Sequence, residues 1–517
     1  MGRKSRNKRL VSTVQDVVGK MDYDVTRKGF EVGTDDDIDL SVHMWSKKRR
    51  RKPKKAITRK GENRSQSRAC DQFICNMLAD GNHRDYYKVI ASGKKGILKR
   101  VWNSWFVDEV EWISHETIGN EDEYNENLHE NSESMLEEFF TNSSKLTEIK
   151  KRLWPMAMEV SKVISDETPS QVFSKARQEG NAFETLGEGR EGGLNRMFTN
   201  RSAIKLANLN ALLDFSLTPS SKKLDGDEVF TFVDLCGAPG GWSEYIMHIC
   251  HKASIPCHGW GISLIGHNHD GNGCNWKLEH MITRDGGLST RYRVSEGVDG
   301  SGDIYAWENI EFLQKEIIQD MSEMGTSHYG KVSLVLADGG MDSQRNVDNQ
   351  EEVTFRLVVC EISAALLILK PGGTFLLKYF GAKSKSTKIA FAMLFRSFEK
   401  VSVVKPILSR PASAERYIVC KNFKPLAVWE GKVDVWRETI LNGNYQEEID
   451  ETVEKYLMKK DFDVLNLNLR ACFDILTYME RAKNNALLNK GSSIRDRTVD
   501  IHQYRQAWKV IRARRKK

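Results

Sequence analysis

An apolar segment that leads into a glycine- and proline-rich turn and then a helical pattern constrains this fold most. The apolar segment is Val229–Leu235, the turn is Cys236-Gly-Ala-Pro-Gly-Gly241, and the helical pattern begins at Trp242. Glycines let the backbone turn tightly and approach a ligand closely, and amides at a helix start can face an anionic or polar group. The segment therefore predicts the first strand–turn–helix unit of a nucleotide-type binding fold. No Gly-Lys-Ser/Thr follows, which argues against ATP hydrolysis, and the spacing is not Gly-x-Gly-x-x-Gly.

Strand-like and helical patterns alternate on both sides of this unit. Alternation of this kind predicts an α/β fold with a mostly parallel sheet that is covered by helices on both faces. The expected helices are Arg196–Phe215, Trp242–Cys250, Val353–Leu369 and Lys385–Phe398, and a turn is expected at Pro371–Gly373. The expected strands are Val229–Leu235, Cys257–Leu264, Val332–Ala337, Thr374–Leu377, Val401–Val404 and Tyr417–Cys420.

The two ends of the chain differ from this central region. Residues 1–60 hold 18 basic and 8 acidic side chains, and Lys47–Lys55 contains eight cations, so residues 1–68 are predicted to be a disordered basic tail. We interpret the run as a nuclear import signal, with RNA affinity as a secondary effect. Residues 69–145 are predicted to be a small unit plus an acidic linker centred on Gly119–Ser134. The central domain is predicted to span 146–425 and begins with a helical pattern over 146–176. A separate helical C-terminal region, 426–517, is expected to follow it, with helices at Val433–Leu441, Tyr445–Leu457, Leu467–Leu487 and Thr498–Arg512.

Several classes of protein are excluded by the composition. The most apolar run, Leu357–Leu369, has thirteen residues and contains Glu361, whereas a bilayer span needs about 20 apolar residues. No apolar segment follows the charged N-terminus, so we expect no secretory signal. The nine cysteines are scattered without a Cys-x-x-Cys pair, which is typical of reduced thiols. The segment Gly266–Cys274 has two histidines and one cysteine, but its Gly/Asn content is typical of an exposed loop, so no metal site is predicted.

Three charged residues stand at the ends of predicted strands. Asp338 follows one strand, Lys378 ends the next, and Glu415 lies just before the last. If the last strand is antiparallel, all three lie at one sheet edge beside the glycine turn, where open α/β sheets bind ligands. One such residue is more simply a strand reaching the surface, but three at one edge indicate a site.

These segments resemble the S-adenosylmethionine-dependent RNA 2′-O-methyltransferases. The resemblance covers about residues 170–425 and implies a Rossmann-like doubly wound methyltransferase sheet. Together with Lys175-Ala-Arg177, Gly302-Asp-Ile304 and Ser409-Arg-Pro411, the motifs most resemble the eukaryotic enzymes that act on the first transcribed nucleotide of capped mRNA. The motifs are Phe198-Thr-Asn-Arg-Ser-Ala-Ile-Lys-Leu-Ala-Asn208, Gly237-Ala-Pro-Gly-Gly-Trp-Ser-Glu244, Leu336-Ala-Asp-Gly-Gly340, Leu376-Leu-Lys-Tyr-Phe380 and Ser409-Arg-Pro-Ala-Ser-Ala-Glu-Arg-Tyr-Ile-Val-Cys420.

The resemblance implies a catalytic tetrad of Lys205, Asp338, Lys378 and Glu415. Lys378 is the expected general base, and burial or a neighbouring cation such as Lys205 is expected to lower its pKa. Asp338 and Glu415 would orient the two amines and keep the site near neutral. A buried ion-pair network without catalytic function would contain the same residues.

The resemblance also implies S-adenosylmethionine as cofactor, no metal, and the 5′ end of capped RNA as substrate, with RNA polymerase II or the capping machinery as further partners. The protein is expected to be a nuclear monomer without membrane contact. Two alternatives stay open: a 2′-O-methyltransferase for the second cap nucleotide or another RNA, and a catalytically idle RNA-binding subunit. Expected cofactor contacts are Asn200, Cys236, Gly237, Ala238, Pro239, Gly240, Gly241, Trp242, Asp303 and Ile304. Expected contacts with the capped RNA are Arg177, Ser263, Leu264, Ile265, Asp348, Asn349, Gln350 and Ser413.

Overall fold

The computed structural model describes twelve segments of the chain. Every described residue lies in one compact unit, within residues 75–517. The predicted basic tail, most of the predicted 69–145 unit and the loop 266–274 lie outside the described residues. The described segments are 111–114, 132–164, 167–180, 198, 200–219, 229–265, 275–278, 291–325, 330–340, 349–406, 408–446 and 448–487.

Eight strands and nine α-helices make up the described part of the chain. The strands are β1 (Ile113–Ser114), β2 (Phe230–Leu235), β3 (Cys257–Ile262), β4 (Arg291–Ser295), β5 (Val332–Ala337), β6 (Leu369–Tyr379), β7 (Phe398–Val404) and β8 (Arg416–Phe423). The helices are α1 (Ser132–Val163), α2 (Pro169–Gly180), α3 (Arg201–Leu212), α4 (Gly241–Lys252), α5 (Trp307–Glu323), α6 (Gln350–Ile368), α7 (Lys385–Ser397), α8 (Val433–Leu441) and α9 (Glu451–Leu487).

The strands form one mixed sheet in the order β1-β7-β8-β6-β5-β2-β3-β4. Strand β2 pairs in parallel with both β3 and β5, and β8 is antiparallel to β6 and β7. From β2 the chain first builds outward through β3 and β4 and then returns to add β5 and β6 on the other side. A reversal of this kind leaves a crevice at the carboxyl ends of the strands. The predicted α/β doubly wound fold is therefore confirmed. The last strand, β8, is antiparallel, so the condition for the convergence of the three charged residues is met.

Helices cover both faces of the sheet, and strand β5 shows how. Its residues Val335 and Ala337 join an apolar cluster with helices α5, α6 and α7. The alternate residues Leu334 and Leu336 join a second cluster, formed with α3 and α4 on the opposite face. A strand buried on both faces has apolar residues throughout, because successive side chains point to opposite sides.

The C-terminal helices are not a separate unit, which corrects the prediction from the sequence. Trp436 and Ile440 of α8, with Val453 and Tyr456 of α9, belong to the apolar cluster on the α6 face of the sheet. Further along, α9 packs with α1 and α2 in a third cluster that includes Leu153. Amphipathic helices bury their apolar side against whichever apolar surface is available, and here the sheet and the N-terminal helices provide it.

The helix boundaries differ from the expected ones at two places. The pattern at 146–176 is two helices, because α2 begins at Pro169 after Thr168, whose hydroxyl accepts the N–H of Gln171. The two helices expected at Tyr445–Leu457 and Leu467–Leu487 are one helix, α9, whose sequence contains no glycine or proline. The helix expected over 498–512 lies outside the described residues. No described helix is long and apolar enough to cross a bilayer.

Candidate active site

The four predicted catalytic residues converge at the carboxyl edge of the sheet. Asp338 follows β5 directly, and Lys378 is the second-last residue of β6. Because β6 and β8 are antiparallel and Lys378 pairs with Tyr417, Glu415 lies at the same edge. Lys378 and Leu376 share the sheet face on which α3, carrying Lys205, packs.

The tetrad consists of two lysine–carboxylate pairs. Lys205 Nζ lies 2.9 Å from Glu415 Oε1, and Lys378 Nζ lies 3.1 Å from Asp338 Oδ1. The Lys378 ammonium also donates to the carbonyl oxygen of Asp338 at 2.6 Å. All four side chains keep between 10% and 17% of their surface exposed, so a substrate hydroxyl can reach them.

Tyr417 joins the two pairs and was missed by the sequence analysis. Its hydroxyl lies 3.0 Å from Glu415 Oε1 and 3.3 Å from Asp338 Oδ1, and its ring is fully buried. Burial raises the pKa of Tyr417 well above its usual value, and Asp338 and Glu415 raise it further, so the hydroxyl is neutral and can donate. A signal was present, since Tyr417 stands two residues after Glu415 in an extended segment and such residues share a face.

The charges of the site do not lower the pKa of Lys378, which corrects that expectation. Burial acts to lower the pKa, but the carboxylates of Asp338, Glu415 and Glu361 outweigh it and raise the pKa above the usual lysine value. The pKa of Glu415 moves the other way: burial opposes its ionisation, but Lys205 and Lys378 outweigh this and lower it. Both shifts favour the charged forms of Lys378 and Glu415 in this state of the site.

A buried lysine next to the tetrad was also missed. Lys405 Nζ donates to the carbonyl oxygens of Ser413 (2.8 Å) and Glu415 (2.7 Å) and to Ser409 Oγ (3.0 Å). Burial lowers the pKa of Lys405 to about 7, although Glu415 opposes this. Lys405 therefore fixes the loop that carries Glu415. The sequence signal was a lysine directly after the apolar strand residues Val401–Val404.

Two buried carboxyl groups accept hydrogen bonds from the backbone beside the site. Asp234 Oδ2 accepts the N–H of Ser243 at 3.2 Å and its hydroxyl at 2.6 Å, which ties the start of α4 to β2. Glu361 Oε1 accepts the N–H of Gly339 at 3.1 Å, directly after Asp338. Burial is the main cause that raises the pKa of Asp234 to about 7 and that of Glu361 to about 8. Both carboxyls therefore fix backbone at the crevice.

The glycine turn after β2 is closely packed against the side chains of Asn200 and Asp234. A Cβ at Gly241 would lie 2.0 Å from Asn200 Oδ1, and one at Gly237 would lie 2.4 Å from Asp234 Cγ. Asn200 caps α3 by accepting the N–H of Ser202, and Gly240 caps α4 with a φ of 100°. The turn is therefore a backbone-lined cradle at the crevice, and Asn200 lies against it.

The other predicted residues of this turn occupy the same segment, with one difference for Trp242. The N–H of Cys236 donates to Ile262 O at 2.7 Å, which fixes the turn to β3. The ring of Trp242 is buried, 5.7 Å from the ring of Tyr417, so this side chain supports the tetrad rather than lining the turn. Ala238 and Pro239 form the tip between Gly237 and Gly240.

Asp303 and Ile304 lie in the loop between β4 and α5. The Asp303 side chain accepts the N–H of Tyr305 at 2.8 Å, and Ile304 is buried. The three residues 263–265 lie beside this loop, because Ile265 N–H donates to Ser301 O at 2.9 Å and a Cβ on Gly302 would meet Ser263 O. The structure thus brings Ser263, Leu264 and Ile265 next to the expected cofactor segment, and their role toward RNA stays a prediction.

The remaining predicted RNA contacts fall into two groups. Arg177 lies on α2, and Ala412, beside Ser413, packs against the apolar cluster that α2 helps to form. Asn349 caps α6 and Gln350 is its first residue, while Asp348 lies outside the described residues. Within the described segments, no group of three or more His, Cys, Asp or Glu residues is arranged to hold a metal ion.

Residues 198–423 match the FtsJ-like methyltransferase family. We call this matched segment, which is less than half of the chain, the FtsJ-like domain. This domain runs from the segment before α3 to the end of β8 and includes the tetrad, the glycine turn and Lys405. Arg177 and the helices α1, α2, α8 and α9 lie outside the FtsJ-like domain.

Curated relatives carry the domain as part of longer proteins. Cap-specific mRNA (nucleoside-2′-O-)-methyltransferase 1 of Danio rerio is 32% identical over 271 residues, which is 51% of this chain and 30% of the relative. The protein of the same name from Drosophila melanogaster is 30% identical over 266 residues, again 30% of its length. A solved ribosomal RNA methyltransferase from Plasmodium falciparum covers 44% of this chain and 99% of its own, at 20% identity and a TM-score of 0.29. The chain thus spans less than a third of these curated relatives.

Proposed function

We propose that this protein transfers a methyl group from S-adenosylmethionine to the ribose 2′-oxygen of the first transcribed nucleotide of capped mRNA. The observation that carries the proposal is the tetrad, in which two lysine–carboxylate pairs are joined by Tyr417 beside the glycine turn. A ribose hydroxyl is a weak nucleophile, so its proton has to leave as the oxygen attacks. A site with amines and carboxylates within hydrogen-bond distance of one another is suited to that transfer.

The residues at the crevice fit S-adenosylmethionine. Gly237 and Gly241 leave no room for side chains, so backbone amides line the turn at the start of α4. Asn200 lies against this turn, and Asp303 lies in the loop after β4. When bound, the cofactor supplies an electrophilic methyl group on a positively charged sulfur.

Lys378 receives the proton of the 2′-hydroxyl in this proposal. The methyl carbon that the 2′-oxygen binds would come from the cofactor, whose sulfur would keep the electron pair of the carbon–sulfur bond, and the amine of Lys378 would take the proton. Because the three carboxylates raise the pKa of Lys378 in the free site, the amine has to lose its own proton first. Any positive charge that enters the site near Asp338 disfavours the ammonium form of Lys378 and so lowers its pKa again. The rate is therefore expected to rise with pH in the neutral to alkaline range.

The capped 5′ end of mRNA is the proposed substrate because of two lines of support. The curated relatives named above are cap-specific enzymes by name, and their similarity extends over about half of this chain. Arg177 and Ser413 lie on neighbouring elements that share the third apolar cluster, so the triphosphate bridge could pair with the guanidinium. Ser263–Ile265 and Asp348–Gln350 are proposed as further substrate contacts.

We also propose that the protein acts in the nucleus as a monomer near RNA polymerase II or the capping machinery. Support comes from the basic run Lys47–Lys55 and from the cap-specific relatives. Imaging of the tagged chain tests the location, since replacing these cations by alanine is expected to move the protein to the cytoplasm.

The experiment is methyl transfer from labelled cofactor to short RNAs that differ only at the 5′ end. The three RNAs are capped, uncapped, and capped with a 2′-O-methyl group already on the first nucleotide. Label in the capped, unmodified RNA alone supports the proposal. Label in the pre-methylated RNA indicates that a later nucleotide is the target. If no RNA is labelled although the cofactor still binds, the result favours a catalytically idle RNA-binding subunit.

Two lysine variants link the activity to the tetrad. Lys378→Met is expected to lower the rate by about 10²–10⁴-fold, the usual contribution of a general base, while cofactor affinity stays unchanged. Lys331→Met is the matched control, because Lys331 is a half-buried lysine at the end of β5 opposite the tetrad and donates to Leu367 O. Equal activity of Lys378→Met and the control contradicts the assignment of the base.

A further inference from the structure

Helix α9 lies outside the FtsJ-like domain, yet it presents two buried polar side chains to the tetrad segments. Asp461 and Asn468 are each 4% exposed. They are seven residues apart, about two helical turns, so they lie on the same side of α9. Polar groups this deeply buried need partners, and both find them at the catalytic edge of the sheet.

Asp461 binds two chain segments, one that follows Lys378 and one that follows Glu415. Its Oδ1 pairs with the guanidinium of Arg416, which directly follows Glu415. Its Oδ2 accepts the N–H of Ala382 at 3.0 Å, four residues after Lys378. Arg416 also lies over the ring of Tyr379, 5.0 Å from the ring centroid. One carboxylate of α9 thus links the start of β8 to the segment after β6.

Asn468 binds the loop that precedes Glu415. With its amide nitrogen turned toward that loop, it donates to Ser413 O at 2.9 Å and to Pro411 O. Lys405 donates to the same Ser413 carbonyl from the other side. The loop is therefore held between the sheet and α9.

A role in stability alone does not explain this choice of residues. Apolar residues of similar volume stabilise a protein interior as well as a buried ion pair does, because the ions lose their hydration. The groups that Asp461 and Asn468 bind all lie within four residues of Lys378 or Glu415 in the chain. Their common effect is to fix the relative position of these two catalytic residues.

We propose that Asp461 and Asn468 are positioning residues of the methyl-transfer site, so that α9 forms part of the catalytic centre. The inference rests on the proposed function. It predicts loss of kcat with unchanged cofactor affinity, because the hydrogen bonds and the ion pair of Asp461 and Asn468 hold the segments beside Lys378 and Glu415. A displacement of about 1 Å at a reacting group can cost about a hundredfold in rate.

The test uses the full chain with three variants. Asn468→Leu removes the contacts to the loop. The double variant Asp461→Leu/Arg416→Met removes the ion pair from both sides, which avoids leaving Arg416 buried alone. Lys460→Met is the control, since Lys460 is the buried neighbour of Asp461 but pairs with Glu111 beside β1.

We expect kcat to fall at least tenfold in Asn468→Leu and in the double variant, at a cofactor Kd close to wild type and at an assay temperature below the melting temperature of every variant. The control is expected to lose melting temperature but not kcat. Wild-type kcat in both test variants, or an equal loss of kcat in the control, overturns the inference.

If the wild type methylates no RNA, that result refutes the proposed function. Hydrogen exchange then still tests the positioning role of Asp461 and Asn468. Exchange of the amides at 380–384 and 409–416 is then expected to be faster in the two test variants than in Lys460→Met. Equal exchange in all variants overturns the positioning role.

Discussion

Replacing Glu361 by glutamine is expected to stabilise the protein at alkaline pH. Glu361 is fully buried, and burial raises its pKa from 4.5 to about 8. An acid whose pKa is raised by folding binds its proton more tightly in the folded state, so its destabilising effect grows as pH rises above 4.5 and is complete above pH 8. One pKa unit corresponds to about 1.4 kcal/mol, which gives an upper bound of roughly 5 kcal/mol for this shift.

Glutamine keeps the oxygen that accepts the N–H of Gly339 but cannot ionise. Its amide nitrogen would take the place of Oε2, which has no hydrogen-bond partner among the described residues. A buried unpaired donor costs about 1–3 kcal/mol. The net gain in the free energy of unfolding at pH 8.5 is therefore about 2–4 kcal/mol.

Urea unfolding of wild type and Glu361→Gln at pH 5.5, 7.0 and 8.5 measures this difference. The difference is expected to increase with pH. The matched control is Glu316→Gln, which breaks the ion pair with Arg293 and should lose stability instead of gaining it. A difference between Glu361→Gln and wild type that stays constant, or shrinks, from pH 5.5 to 8.5 refutes the argument.

Three further substitutions test the site. Gly241→Ala places a methyl group 2.0 Å from Asn200 Oδ1, so calorimetry and thermal unfolding should show weaker cofactor binding and a lower melting temperature. Tyr417→Phe removes a hydrogen bond to a charged acceptor, worth about 1.5–3 kcal/mol, and should lower kcat about tenfold or more at unchanged cofactor affinity; an unchanged kcat contradicts the bridging role. Lys405→Met removes three hydrogen bonds and should lower both melting temperature and kcat, whereas a normal kcat shows that the loop needs no such support.

The local features of the central domain were predictable from the sequence. Strand β5 has the predicted bounds, Val332–Ala337, because its apolar run is short and is bounded by glycines in the chain nearby. The convergence of Asp338, Lys378 and Glu415 followed from strand ends and one antiparallel strand. Helix α5 was missed although Ile310, Leu313, Ile317 and Met321 recur at helical spacing, so the signal was available.

The features that were missed depend on contacts between distant parts of the chain. The pKa of Lys378 depends on three carboxylates from separate elements, and no local pattern shows which of them lie close. The docking of α8 and α9 was missed because an amphipathic helix shows that it has a partner but not which one. Strand β4, Arg291–Ser295, is short and mostly polar, and such edge strands lack a clear pattern.

The packing of α9 against α1 has a consequence for synthesis on the ribosome. Asn142 of α1 donates to Asn466 of α9, 324 residues later in the chain. At about 5–20 residues per second, translation needs roughly 16–65 s to cover that distance. During this time the apolar side of α1 has no α9 to pack against, while the strands in between are being made. Helix α1 thus depends on α9 for part of its packing, and the nascent protein is exposed to chaperones and to aggregation for the time that separates the synthesis of these two helices.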